Sequence, residues 1–422
     1  MANEGREKRI LVYADWQGLA NKPLIGTLTS SLLRGKEVFS FSYLPSWLRS
    51  RSMQLLDPDL QWYDGNQFLS DRKRNFGVFQ DSSPDRWGRM LMKRRETVTA
   101  RLEERKPTTL LESDFLLGVY DQSRMGALRF KLEDTGEFLS HDPGMIIPPL
   151  TRLRELEYAS QQIENDSTGE HLDEMKWLSL LLAPGASLGG ARPKATVTDT
   201  EGNYWIAKFP SIQDDHDIGG WEMLVHQLAG LCGLNVAPAF IQKFNSKQNT
   251  FLTSRFDRVN KVGRLQYCSA MTMLGYSDGA DYQAGVSYLE IAAFIQRFGA
   301  NINQNLIELW KRILFNVMVK NTDDHLRNHG FLLSRLGCEL SPAFDMNPVP
   351  FGSGLTLNIS EDDNSLSVDL VLSVAQHFRV SSSAALETLK SFKNVITQWH
   401  RIAEELKLSR SEQDYMAPAF EH

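Results

Sequence analysis

Between residues 303 and 320, Leu306, Leu309, Trp310, Ile313, Leu314, Val317 and Met318 recur at helical spacing. This predicts a long helix with one face in a core. It runs straight into the polar sequence NTDDHLRN (321–328). After GFLLSRLGCELSP, which reads as a short hairpin, comes AFDMNP (343–348). Asp323 and Asn328 stand in D-x4-N spacing, and two strands between would return Asp345 beside Asn328. Phosphoryl transfer needs these residue types. One carboxylate orients or accepts the proton of the acceptor hydroxyl, an amide oxygen sits on a metal, and a second carboxylate holds magnesium between phosphates. Hard oxygen ligands suit magnesium better than zinc. The plainer reading of NTDD is a solvated turn that closes the helix, so the upstream sequence has to decide.

Upstream, four features follow in order. SLGGARPK (187–194) places Ser187, Leu188, Gly189, Gly190, Ala191 and Lys194 in a Gly-rich turn before a strand. Such a turn can lay backbone N–H groups against phosphates; GK[ST] is missing, so it is not a Walker A loop. Lys208 is the one charge in the apolar strand YWIAKFP, where a lysine can reach ATP phosphates or simply face solvent. Glu222, near the start of the next helix, can pair with such a lysine or complement the helix dipole. SRFDR (254–258) carries Ser254, Phe256 and Asp257 at a strand end, as an ATP edge or lobe link, or as an ion-pair latch. His325 lies inside the 321–328 loop, where it touches phosphate, holds the loop, or is an ordinary hydrogen-bonded histidine. Taken together and in order, these features point to a magnesium–ATP site.

The 422 residues, 42% hydrophobic and 23% charged, are enough for two substantial globular domains. A formal net charge of -6 argues against a chain that grips nucleic acid along its whole surface. Three scattered cysteines without a CxxC pair argue against structural zinc or a disulfide framework, and a reducing cytoplasm is expected. No membrane span and no leader segment is expected.

Strands are expected at 9–16 and 36–44, with a helix between them. A loop-rich stretch at 131–150 sets the expected domain boundary, residues 1–150 against 151–422. Helices are expected at 151–165, 170–182 and 384–406, and strands at 236–244 and 250–259. A strand-rich part thus precedes a helix-rich one.

SLGGARPK, YWIAKFP, SRFDR, NTDDHLRNHGFL and SPAFDMNP together resemble the HipA-type serine/threonine kinases of bacterial toxin–antitoxin modules. PLIGTL (23–28), FSYLPSWL (41–48), SSPDRWGR (82–89) and the GAL of MGALRF extend the resemblance over nearly the whole chain. It implies an α+β, two-lobed protein-kinase-like fold with a small N-terminal α/β domain and a larger, mainly helical C-terminal domain. It implies ATP and magnesium, with Asp323 as catalytic aspartate, Asn328 and Asp345 as metal ligands, Lys208 as the ATP lysine and Ser187 as an autophosphorylated loop serine. A phosphate on Ser187 would repel the phosphates that the loop receives. The resemblance also implies a translation component as protein substrate, an aminoacyl-tRNA synthetase for example, and a helix-turn-helix antitoxin through which DNA is contacted indirectly. A small-molecule kinase and a catalytically silent corepressor are the alternatives. The chain departs from the pattern at Ser254, where some relatives carry glutamate, and at Trp221, where asparagine often precedes the helix glutamate. Asp345 is followed by Met346 and Asn347 rather than Phe-Gly.

Overall fold

A computed structural model of the chain describes residues 7–50, 55–69, 73–141, 146–165, 173–182, 190–261 and 263–421. Ser187, Leu188 and Gly189 lie outside the described residues. The chain forms two compact units, Met1–Ile212 with Asp257–Cys268 and Gln213–Phe256 with Ser269–His422.

The first unit opens with a five-stranded sheet in the order β4-β3-β2-β1-β5, from β1 (Lys8–Ala14), β2 (Leu24–Leu33), β3 (Lys36–Tyr43), β4 (Gln67–Phe68) and β5 (Leu128–Lys131). A strand, β2, stands where a helix was expected between 16 and 36. LIGTLTSSLL alternates between buried and half-exposed positions, the period of a strand with one wet face. Leu28 pairs with Ile10 on one side and Phe41 on the other, and all three side chains are fully buried. Arg34 and Gly35 connect β2 to β3 with φ of 50° and 76°, the two left-handed residues of a tight hairpin turn. Phe79 packs on Phe41 and Phe130 from the buried face, at ring separations of 5.6 and 6.0 Å. The helix Arg86–Leu102 starts at Asp85, whose carboxylate accepts the Gly88 N–H at 2.9 Å. This is the side-chain cap that an exposed helix start requires. The fully buried Arg124 donates to the carbonyls of Ser82, Leu116, Val119 and Leu139 at 2.8–3.0 Å. The helices Leu153–Asn165 and Glu174–Leu182 lead to the hairpin β6 (Lys194–Thr198) and β7 (Tyr204–Lys208).

The second unit begins with the helix Ile218–Leu231 and the hairpin β8 (Ala239–Gln242) and β9 (Thr250–Ser254). The expected strand 250–259 is interrupted: Arg255 to Asp257 form a break before the short strand Arg258–Val259. The rest of the unit is mainly helical. Tyr288–Phe298 is entered through a capping box of Ser287 and Glu290, in which the Ser287 N–H donates to the Glu290 carboxylate at 3.1 Å. Ile302–Met318 follows, then the hairpin Gly330–Ser334/Gly337–Leu340 and the helices Ser382–Ile396, Trp399–Glu405 and Arg410–Met416. The single helix expected over 384–406 is broken at Thr397 and Gln398. The Thr397 hydroxyl bonds back to the Asn394 carbonyl at 3.1 Å, which competes with helix continuation. The break turns Trp399 inward onto Phe420, ring centroids 4.8 Å apart, beside the buried Trp221.

Candidate active site

The loop that carries the acid–amide pair is shaped by the helix before it. Residues 312–318 of that helix are buried all round, so the chain leaves it inside protein. Lys320 adopts φ 46°, and the Asn321 N–H returns to the Asn316 carbonyl at 2.9 Å, a left-handed helix stop. The neighbouring aspartates then separate: Asp323 is exposed and Asp324 is buried, 4% exposed. A 3-10 turn, Leu326–Asn328, brings the Asn328 side chain back over the loop, and its Nδ2 donates to the Asp323 carbonyl at 3.0 Å. The other end of that amide, Oδ1, is buried with no hydrogen-bond partner among the described residues. An unpaired buried acceptor is costly, and a hard cation is one partner that such an amide oxygen suits.

The hairpin after the loop is closed in the register Phe331 to Leu340 through Ser334 to Gly337. It returns the chain as expected: the Ser341 N–H donates to the Gly330 carbonyl at 2.9 Å, and the Asn347 N–H to Asn321 Oδ1 at 3.2 Å. Asp345 lies between these two ties. Its φ is 60°, a left-handed conformation that Asp tolerates better than most residues but that still stores strain. The preceding Phe344 packs on Phe256 at 5.5 Å, and Ala343 bridges to Val236, its N–H donating to the Asn235 carbonyl at 2.7 Å. Ser254 is placed by its N–H on the Pro238 carbonyl at 2.8 Å.

Sequence reasoning passed over the residues beneath the loop. Asp324 Oδ2 accepts hydrogen bonds from Tyr288 Oη at 2.6 Å, Asn316 Nδ2 at 2.7 Å and His329 Nε2 at 2.8 Å. Burial pushes the Asp324 pKa up, but the charge of His329 and the hydrogen bonds from His329 and Tyr288 outweigh it and hold the carboxyl below its usual value. Burial, then the Asp324 charge, drive the Tyr288 hydroxyl well above the ordinary phenol range, so it stays a donor. His325, half-buried in the loop, has its Nδ1 buried and without a partner among the described residues. Glu222 is 3% exposed in the second turn of Ile218–Leu231, while Asp217 performs the capping, accepting from Gly220 N at 3.0 Å and Asn249 N at 2.8 Å. Dipole complementation therefore does not account for Glu222.

A cavity of about 340 Å³ borders the loop at Thr322. Asp281, Tyr282, Phe351, Gly354 and Asn364 also line it, and among the described residues no Lys, Arg or His does. Gly352, at the same cavity, is held where a Cβ would stand 2.4 Å from Thr322 Cγ2.

The other candidate residues belong to the first unit. Lys194 and Lys208 sit directly opposite each other in the β6–β7 register, an arrangement that repels unless a counter-charge intervenes. Asp85 supplies one: Lys194 Nζ, in a side chain 2% exposed, lies 2.7 Å from Asp85 Oδ2 and 3.2 Å from the Gly190 carbonyl. Gly190 takes φ 57°, and Gly190 and Ala191 are exposed. Asp257 is fully buried, accepts the Gly126 N–H at 2.8 Å and pairs with Arg258. Asp257 is thereby locked onto the MGAL turn.

No ion-holding cluster of three or more His, Cys, Asp or Glu side chains occurs among the described residues. Asn328 Oδ1 and Asp345 are the residues whose oxygens would suit a magnesium ion that takes its remaining ligands from phosphate and water. That is the usual composition for an ion that keeps most of its ligands outside the protein. No helix of the described residues is long and apolar enough to cross a membrane.

Comparison with known proteins converges on the same motifs. Residues 186–404 match the family described as the HipA-like C-terminal domain. The serine/threonine-protein kinase toxin HipA of Shewanella oneidensis is 25% identical over 268 residues, 56% of this chain and 58% of that one. A provisionally named kinase of Haemophilus influenzae is 26% identical over 188 residues, 39% of this chain and 54% of that one. The chain thus spans only about half the length of these curated relatives. The structure of HipA from Shewanella oneidensis, solved with HipB and operator DNA, superposes with a TM-score of 0.63 at 18% identity, over 97% of this chain and 95% of that one. The α+β, kinase-like fold expected from the motifs is therefore shared. With more than half of its length matched to the family model, this chain belongs to the HipA family.

Proposed function

We propose that the chain is an ATP- and magnesium-dependent serine/threonine protein kinase acting as the toxin of a toxin–antitoxin module. The observation that carries this reading is the orphaned, buried Oδ1 of Asn328 beside the exposed Asp323, in a loop tied to the Asp345 segment. Asn328 and Asp345 hold magnesium, which supplies charge neutralisation for the ATP phosphates when bound. Asp323 orients the acceptor hydroxyl and takes its proton. The acceptor oxygen forms a bond to the γ-phosphorus as the bond to the bridging oxygen of ADP breaks. Lys208 and the backbone of the 187–191 loop contact the phosphates, Ser254 and Phe256 border the adenine, and Lys194 and Asp257, held by Asp85 and Arg258, support these segments as scaffold. His325 steadies the loop.

The 340 Å³ cavity beside Thr322 is room for the acceptor side chain, with Asp281, Ser353, Thr356 and Asn364 among the polar groups that line it. The acceptor is a translation component such as an aminoacyl-tRNA synthetase. A helix-turn-helix antitoxin restrains the toxin and contacts DNA on its behalf. Autophosphorylation at Ser187 switches the enzyme off. Residues 1–150 act as an N-terminal domain and 151–422 as the kinase part, working in the cytoplasm.

The test is intact-protein and peptide mass spectrometry after incubation with magnesium-ATP, alone and with candidate synthetases. Phosphate on Ser187 and on one synthetase supports the reading. No transfer to any protein, with tight antitoxin binding retained, would replace it with a silent corepressor.

A further inference from the structure

We infer that Asp324 is a positioning residue whose buried hydrogen-bond relay, through Asn316 and Asn321 to the Asn347 backbone, holds the Asp323 loop and the Asp345 segment as one piece. This rests on the proposed kinase reading. Every link is on one chain of contacts. Asp324 Oδ2 gathers donors from Tyr288, Asn316 and His329, at 2.6, 2.7 and 2.8 Å. The Asn316 amide, committed through Nδ2, uses its Oδ1 to accept Asn321 Nδ2 at 3.1 Å. Asn321 uses its own Oδ1 to accept the Asn347 N–H at 3.2 Å. Asn347 stands two residues beyond Asp345.

The relay spends both ends of two amides in a fixed direction, so neither can flip without losing a bond at each end. Its anchors lie on separate elements. Tyr288 opens the helix Tyr288–Phe298, Asn316 sits in the last turns of Ile302–Met318, and His329 leads into the hairpin. Tyr288 and His329 also meet edge-to-face at 5.6 Å. A buried ionised carboxylate costs stability relative to apolar packing. Keeping one directly beside Asp323 is explained if it fixes geometry. Further along the segment, the Val349 N–H binds the Lys320 carbonyl at 3.0 Å. The side-chain relay therefore governs the end nearer Asp345, whose left-handed backbone needs an outside restraint.

Tyr288→Phe, Asp324→Asn and Asn321→Ala remove three successive links. Three readouts separate positioning from bulk stability: kcat against KM for ATP, Mn2+ affinity in the presence of a non-hydrolysable ATP analogue by electron paramagnetic resonance, and amide hydrogen exchange. Below the unfolding temperature of each variant, kcat should fall by roughly tenfold or more with KM for ATP little changed, and Asn321→Ala should weaken nucleotide-dependent Mn2+ binding by roughly tenfold. Exchange should rise together in 321–330 and 343–349 and nowhere else. Unchanged Mn2+ affinity and unchanged exchange in Asn321→Ala would overturn the relay. Joint loosening of the two segments in a protein whose wild type neither binds Mn2+ with nucleotide nor transfers phosphate would uphold the relay and overturn the kinase reading instead.

Discussion

Two regions of the molecule, one in each unit, treat their buried polar residues in opposite ways. Around Asp323, polar side chains are deeply wired yet leave capacity unused: Asn328 Oδ1, Asn347 Oδ1 and His325 Nδ1 are buried without partners among the described residues. Around Lys194 and Asp257, the buried charges meet partners directly: Lys194 meets Asp85 and the Gly190 carbonyl, and Asp257 meets Arg258 and the Gly126 N–H. Folding favours saturation, because an unmet buried polar atom costs about 1–3 kcal/mol. Unmet capacity that persists next to an exposed acid and a left-handed one is where a ligand belongs. Saturated charge is the mark of a scaffold, even inside a motif that reads as a phosphate loop.

The largest expected effect lies in the unsaturated region. Asp323→Ala should lower the phosphoryl-transfer rate by about 10²–10⁴-fold, the range for loss of a general base, with the melting temperature barely changed because the side chain is exposed. Radiolabel transfer to a protein acceptor measures the first and thermal unfolding the second. A tenfold loss or less would place the base elsewhere.

Next comes the saturated pair. Lys194→Met leaves Asp85 buried without its cation, which should cost roughly 3–5 kcal/mol in chemical denaturation. Adding Asp85→Asn, which keeps an acceptor for the Gly88 N–H, should recover most of it. If Lys194→Met left stability alone and weakened ATP binding instead, Lys194 would move from scaffold to site and the contrast between the two regions would blur.

Gly126 tests the lock between MGAL and SRFDR. Its φ is 75°, and an added Cβ would lie 3.2 Å from Gln266 Oε1 and 3.3 Å from the Tyr267 nitrogen. Gly126→Ala should cost about 1–2 kcal/mol, read by the same denaturation. A neutral or stabilising result would show that the turn relaxes freely.

The smallest effect is one of pH. Burial raises Asp57 to about 6, against the hydrogen bonds from the Val78 and Asp59 N–H groups, which pull it down. A carboxyl raised on folding binds its proton more tightly in the native state. Its contribution is fully present below its unfolded pKa and is lost as pH rises through about 6. Between pH 5 and 7 this should cost about 1 kcal/mol in the wild type. Asp57→Asn should remove that part of the slope, and an identical slope in both would show that Asp57 does not titrate there.

Much of the fold was legible where periodicity is strong. The helix 303–320 and the hairpin before Asp345 both follow from local pattern. The strand β2 did not, because the Arg34–Gly35 turn that dictates it is a weaker hairpin signal than Asn-Gly. The C-terminal helix break at Thr397, where the side chain bonds back to the Asn394 carbonyl, is not encoded by the spacing of apolar residues along the chain. Within the candidate site, the acid–amide pair could be read from its spacing. The different exposures of Asp323 and Asp324 could not, since two adjacent aspartates carry the same local signal. Tyr288 and Asn316 lie 36 and 8 positions from Asp324, so only tertiary packing brings them to it. Asp85 sat in a quoted motif, yet its partner was 109 residues away.

The central claim is that the unsaturated region around Asp323, Asn328 and Asp345 transfers phosphate. The most direct measurement is intact-mass spectrometry of wild type, Asp323→Ala and Asp345→Ala after incubation with magnesium-ATP. Phosphate on the wild type alone, with Ser187→Ala removing it, is the expected result. Equal phosphate on Asp323→Ala, or none on folded, ATP-bound wild type offered a synthetase acceptor, would contradict the account.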